Sequence, residues 1–484
     1  MNSLILHRPS LKEIKLFIPL AILLAFLAIG LSDYIIYGFG LVVMLFLFSV
    51  FGERFIIVFV IVTLLTFVGD VNPNLRIVVH VVDFSLLGIL FLRRYGLEWG
   101  NYPSLPKPII FFLILYYTSM FVSLVMSDYP TAGLPLLFRQ SAFFIIVYVL
   151  VSLIRDEADV KLYLFALILA TSILVASSLV MFVTEGINFF NLAGYRNRVS
   201  GLISNIDAIT AFYMITFPLS IILIIRSKHT LAKSLSWLLL FYLSLGLLLT
   251  MSRSAILGVL VSSLMMFYIL KRKYFYRTTV ILAVLLVTVI FYEPLGKFSS
   301  LLFRMEAGLT SRDQLWSIAV SIIKDNPIFG LGPGAYKNEM INYFPVMFNS
   351  WSGDLLLRLF EMTKTGSNMS HNFYLFFFSE MGIFGFITAL VFTAIFFKVG
   401  VQSLSVYKKE NDEKYYLIVA LFTAGASMFV RNLVDSIGLL YYGWITADLP
   451  FWIIFMCLLF YYNKRLPDNN SQNTKFLAET NKVF

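Results

Sequence analysis

"LSWLLLFYLSLGLLLTMSRSAILGVLVSSLMMFYIL" (residues 235–270) holds one charged residue, Arg253, in a run long enough to cross a lipid bilayer twice. About 20 apolar residues in helical form span the roughly 30 Å of hydrocarbon. The segment therefore reads as two transmembrane helices meeting at the arginine. The cluster "KRKYFYR" (271–277) that follows is the basic anchor on one membrane face.

The rest of the chain agrees. Its 484 residues are 59% hydrophobic and only 13% charged, whereas a soluble protein carries about 25% charged residues. The expected fold is an all-α polytopic membrane protein. Fourteen apolar runs stand out, at 16–32, 35–51, 55–69, 77–92, 109–126, 140–154, 161–183, 206–225, 235–251, 254–270, 278–292, 372–397, 415–434 and 437–462. The sixth and eleventh are short. The first follows Arg8, Lys12 and Lys15 but lacks a small-x-small cleavage site, so it reads as a span and not a signal peptide. The single cysteine, Cys457, lies inside an apolar run, which removes a disulfide framework and a cysteine metal site from consideration.

Charge sets the orientation. With the N-terminus in the cytoplasm, inside segments hold 24 of the 37 Lys and Arg, short outside loops hold 6, and the long loop 293–371 holds 7. This bias places both termini in the cytoplasm. The formal charge of +10 is then a consequence of topology, not a nucleic-acid footprint. Four regions follow: spans one to eleven (1–292), an extracytoplasmic loop (293–371), spans twelve to fourteen (372–462) and a cytoplasmic tail (463–484).

The long loop is partly helical by its pattern. Ser311 and Gln314 have capping-box spacing, apolar residues recur at 315, 318, 319, 322 and 323, and Asp325, Asn326 and Pro327 end the helix. The "GLGPG" turn (330–334) lacks the Gly-Lys-Ser/Thr of a nucleotide cradle.

Charge at membrane depth costs about 2.5 to 3.5 kcal/mol on insertion scales, so outer-face cations invite a functional reading. Arg253 sits at the vertex of the hairpin; the plainer reading is snorkelling to the interface. Arg312 falls in the first turn of the loop helix, the wrong end for a cation unless an anion is bound there. Arg196 and Arg198, in "GYRNRVSG", project to one side of an extended segment and suit phosphate oxygens; lipid headgroups would suit them equally. His371 is the only histidine in an outside loop and has the chemistry of a proton acceptor. The alternative role for it is capping the helix that follows. Glu380 lies nine residues on, half a turn out of phase, so its expected partner is an arginine on another span, such as Arg431. No HExxH, Cys/His cluster or outer D-x-D pair is present, so neither a metal nor a cofactor is expected.

"TMSRSAILG" (250–258), "SRDQLWSIAVSIIKDNPIFGLGPGAY" (311–336) and "SHNFYLFFFSEMGIFGF" (370–386), in that order around a large outer loop, resemble the O-antigen ligase/polymerase superfamily of bacterial membrane glycosyltransferases. The resemblance implies a GT-C-like fold in the inner membrane and a metal-independent, inverting transfer at its outer face. The donor would be a polyprenyl (undecaprenyl) pyrophosphate glycan. Arg253 and Arg312, with Arg198 more loosely and Arg196 beside it, would hold the pyrophosphate, and His371 would activate the acceptor hydroxyl. Trp316, Tyr336, Tyr343 and Trp351 are candidates to stack on sugars, against the alternative of ordinary packing. The acceptor (a second glycan, lipid A-core or a protein) stays open. Membrane lipids and other polysaccharide-assembly proteins are the further partners expected. A lipid-linked oligosaccharide flippase is the competing class, but it would carry its charges along a cavity within the spans.

Overall fold

Backbone amides inside a bilayer must bond within the chain, which favours helices, and no strand occurs among the described residues. The computed structural model describes residues 52–66, 73–185, 199, 201–292, 312–343, 369–409 and 414–464. Among these residues thirteen longer helices carry the fold: α1 (Glu53–Thr66), α2 (Pro73–Tyr95), α3 (Lys107–Met126), α4 (Pro130–Leu153), α5 (Glu157–Thr184), α6 (Ile206–Arg226), α7 (Thr230–Thr250), α8 (Arg253–Leu270), α9 (Arg272–Phe291), α10 (Arg312–Asp325), α11 (Phe373–Lys409), α12 (Lys414–Arg431) and α13 (Ile445–Lys464). A short helical stretch, Tyr336–Tyr343, follows α10.

Eight of them, α3 to α8, α11 and α13, are long and apolar enough to cross a membrane. The molecule is thus a helical polytopic membrane protein with eight candidate spans among the described residues, and the expected fourteen are not all present as such. Two of the runs, 16–32 and 35–51, lie outside the described residues. The runs under α1, α2, α9 and α12 form helices that fall short in length or apolar character. The short sixth run grows into a helix of 24 residues, because Pro130 opens it ten residues early; proline is well tolerated at a first helical position, where its missing N–H costs nothing.

The fourteenth run departs most. Its helix begins at Ile445, and residues 432–444 are irregular. Gly438, Tyr442 and Gly443 adopt left-handed φ of 99°, 50° and 67°, which a helix cannot accommodate. Irregular backbone buried away from water needs its polar groups bonded within the protein. Asp448 accepts from Tyr441 N at 2.7 Å, Trp452 Nε1 donates to Leu439 O at 2.8 Å, and Arg139 Nε donates to Tyr442 O at 2.6 Å.

α13 and α6 form the centre and are buried along most of their length. Around them runs an aromatic ladder in which Phe392 stacks on Phe112 (4.9 Å) and Trp452 (5.5 Å). Phe111, Ile114, Phe165, Trp237 and Phe241 point outward, as expected of helices whose other face meets lipid. At the far end from the site, the acidic "RDEAD" stretch is an ion-pair hub. Arg54 bridges Asp156 (3.0 Å) and Asp159 (2.9 Å), and Glu157 takes Lys414 at 2.8 Å.

One local device positions the site. α11 breaks at Gly382, which has φ 61° and ψ −157°. The turn 327–334 inserts there: Leu331 N donates to Ser379 O (3.0 Å), Gly332 N to Glu380 O (2.8 Å), and Ile383 N to Pro327 O (3.0 Å). The amides of Leu331, Gly332 and Gly334 are therefore spent on the broken helix and cannot cradle a phosphate. A Cβ at Gly330 would lie 2.5 Å from the Glu380 carbonyl, with φ at +69°. Gly330→Ala is expected to lower stability by more than the roughly 1–2 kcal/mol of left-handed strain alone, read as a fall in the thermal unfolding midpoint in detergent.

Candidate active site

The site forms where the start of α11 meets the end of α12. Asn372, not His371, caps α11: its Oδ1 accepts from Tyr374 N and Leu375 N, both at 2.9 Å. The capping alternative for His371 is thereby removed. Asn372 Nδ2 donates to Leu433 O (2.8 Å) and Phe373 N to Asn432 O (2.9 Å). These bonds sew the loop to the end of α12. His371 itself adopts φ 48°, a conformation uncommon outside glycine and frequent at functional positions. Its carbonyl accepts from Trp316 Nε1 at 3.2 Å.

The sewing brings His371 beside a carboxylate that sequence reading had not singled out. His371 Nδ1 lies 3.8 Å from Asp435 Oδ1, longer than a hydrogen bond, as such contacts often are before substrate binds. Asp435 is fully buried and clamped by Arg431, whose Nη2 sits 2.8 Å from Oδ2. Arg431 also reaches Asp207, donating to its carbonyl at 2.6 Å and lying 3.8 Å from its carboxylate. Asp207 stands in the first turn of α6, the end of a helix that favours a negative charge.

Burial pushes the Asp435 carboxyl up, but the adjoining Arg431 guanidinium, with smaller contributions from His371 and Arg312, outweighs it and holds the group well below the usual carboxylate range. A depressed carboxyl contributes stability above its unfolded value, near 4, and loses it only as pH falls through the lower folded value. The folded site therefore favours the ionised form of Asp435. The carboxylate that Arg431 clamps faces Nδ1 of the His371 ring.

Arg312 opens α10, whose Trp316, four residues on, bonds the His371 carbonyl, so the first turns of α10 lie against the histidine loop. α10 reaches it by packing along the first half of α11, held near its start by the Trp316 bond and beyond its end by the inserted turn. Arg253 is the half-buried first residue of α8; Met251 in the left-handed region makes the hairpin turn and Ser252 caps the helix. Arg196 and Arg198 lie outside the described residues. Val199, which follows them, donates to Leu249 O at 3.2 Å and so meets the same hairpin end.

Among the aromatic candidates, Trp316 positions the His371 backbone. Tyr336 is fully buried, donating to Leu315 O at 2.9 Å inside the small core of Leu315, Ile318, Ala319, Ile322 and Met340. Packing is its role. Tyr343 packs half-buried at the edge of that core, and Trp351 lies outside the described residues, as does Ser311 of the capping box.

The expected Glu380–Arg431 pair is not formed. Arg431 is taken by Asp435 and Asp207, while Glu380 accepts from Gly334 N (2.8 Å) and from the Tyr442 hydroxyl. A carboxylate cluster at the histidine was also not expected, yet Asp207, His371 and Asp435 present ligand atoms within 4.8 Å of one another. Such a set could take a cation; here the Arg431 guanidinium supplies positive charge to both carboxylates. The Arg431–Asp435 pair had one sequence signal, its i, i+4 spacing at the end of an apolar run.

Residues 238–390 match the family model described as O-antigen ligase. The match includes Arg253, Arg312, His371 and Glu380 but neither Asp207 nor the Arg431–Asp435 pair. No curated protein matches the chain.

Proposed function

We propose that this member of the O-antigen ligase/polymerase superfamily transfers a glycan from a polyprenyl-pyrophosphate carrier to an acceptor hydroxyl at the outer face of the inner membrane. In this reading the chain is GT-C-like, spans the membrane fourteen times and keeps both termini in the cytoplasm. The observation that carries it is the histidine held against an ionised, arginine-clamped aspartate, with Arg312 within electrostatic reach.

The chemistry is a single displacement. The acceptor oxygen attacks the anomeric carbon from the face opposite the pyrophosphate, inverting that centre. His371 takes the hydroxyl proton, and Asp435 stabilises the resulting imidazolium. The bond from the anomeric carbon to the phosphate oxygen breaks, and its electron pair leaves with the pyrophosphate. Arg312 and Arg253, with Arg196 and Arg198 as the further candidates, balance the charge that develops there. The step as written needs no metal ion.

The test uses purified full-length protein with a polyprenyl-pyrophosphate glycan and offers lipid A-core, a second donor molecule or a peptide in separate reactions. Product in one of them names the acceptor; none in all three removes the reading. A hydrogen bond to a charged group contributes about 1.5–3 kcal/mol. Arg312→Ala is therefore expected to raise the donor KM about 10- to 150-fold, with a smaller change in the acceptor KM. Equal donor KM values for Arg312→Ala and wild type would remove Arg312 from the pyrophosphate site.

A further inference from the structure

Glu380 is 2% exposed, within α11, and the mechanism above makes no use of it. A carboxyl group at that depth is costly to insert, and no cation is bonded to it among the described contacts. Its bonds instead converge from three other elements. The side chain accepts from Gly334 N, at 2.8 Å, in the turn that follows α10, and from the Tyr442 hydroxyl in the 432–444 segment. The carbonyl accepts from Gly332 N at 2.8 Å and from Ser123 Oγ of α3 at 2.7 Å. Tyr442 is itself in the left-handed region and is held from behind by Arg139.

Two of these elements, together with α11 itself, carry part of the site. The turn anchors the end of α10, whose first residue is Arg312. The 432–444 segment carries Asp435. α11 begins two residues after His371. We infer that Glu380 is a positioning residue: one carboxylate ties the Arg312 arm and the Asp435 segment to the helix that presents the histidine. The inference rests on the transfer reading above and adds to it a residue remote from the reacting atoms.

The tie is made of accepted hydrogen bonds, so a glutamine, which keeps an accepting oxygen, should preserve it and an alanine should not. Misplacing a reacting group by about 1 Å can cost about 10²-fold in rate. Full-length Glu380→Ala, Glu380→Gln, Tyr442→Phe and Glu380→Ala/Tyr442→Phe are compared with wild type in detergent. The readouts are kcat and donor KM per folded molecule, together with hydrogen exchange of segments 327–343 and 432–444.

Expected are a kcat at least about 10-fold lower for Glu380→Ala, a value within a few-fold of wild type for Glu380→Gln, and a double variant no worse than Glu380→Ala. Exchange should quicken in both segments of the alanine variant and in neither segment of the glutamine variant. Wild-type kcat for folded Glu380→Ala overturns the inference. So does equal damage from alanine and glutamine, or unchanged exchange in the alanine variant. A wild-type protein that transfers nothing sinks the function reading instead, and the exchange measurement still judges the tie.

Discussion

Replacing His371 with alanine is expected to lower kcat by about 10²- to 10⁴-fold, the range that a positioned general base contributes, while donor KM stays within a few-fold of wild type. The split follows from the division of labour in the site. In the proposed mechanism pyrophosphate recognition belongs to the arginines, and the histidine acts only on the acceptor proton. Asp435, fully buried, lies 3.8 Å from Nδ1, so the ring has a carboxylate partner on one nitrogen. The backbone should tolerate the change, because Asn372 caps α11 and Trp316 bonds the carbonyl of residue 371, not its side chain. Steady-state transfer with donor varied at saturating acceptor, on protein checked for folding by size exclusion, measures both constants. Full kcat in folded His371→Ala would show that the acceptor proton leaves by another route.

The second large effect is on stability. Arg431→Met should destabilise the protein by about 3–5 kcal/mol, the usual cost of stripping one member from a buried ion pair. Arg431 is among the largest fully buried side chains of the described residues, and it serves Asp435, the Asp207 carbonyl and Ile437 O at once. Its loss leaves an uncompensated carboxylate with no solvent. Removing the carboxylate as well, in Arg431→Met/Asp435→Leu, should recover much of the loss, since buried pairs are often matched by apolar residues of similar volume. Activity should not return with it. Thermal unfolding in detergent reads the stability of the single and double variants. A single variant within about 1 kcal/mol of wild type would mean that water reaches Asp435 and that the pair is not buried in solution.

Arg253, Arg312 and His371 were legible because each breaks a local expectation: a charge in an apolar hairpin, a cation at a helix N-terminus, a histidine at a membrane lip. Asp207 and Asp435 break no such expectation. A lone acid in the first turn of a helix is ordinary, and so is one between two apolar runs. Their meaning arises from pairing with residues 64 and 164 positions away from them in the chain, counted from His371. The break at Gly382 was hidden for a related reason. "SEMGIFGF" is as apolar as an unbroken span, and nothing local shows that Pro327 to Gly334 will supply the missing hydrogen-bond partners.

The amino-acid sequence by itself determined that this chain lives in a membrane as a set of helices, because hydrocarbon leaves an apolar run no other way to satisfy its backbone. Apolar length and charge also placed one long loop and its cations apart from the rest. Only the tertiary structure decided which helices are broken, that residues 432–444 leave helical form inside the protein, and which charges meet. Helices that are apolar nearly all round carry little record of their neighbours. Which buried ion finds which partner is settled when the helices pack, since only then does each charge lose the solvent that had let it stand alone.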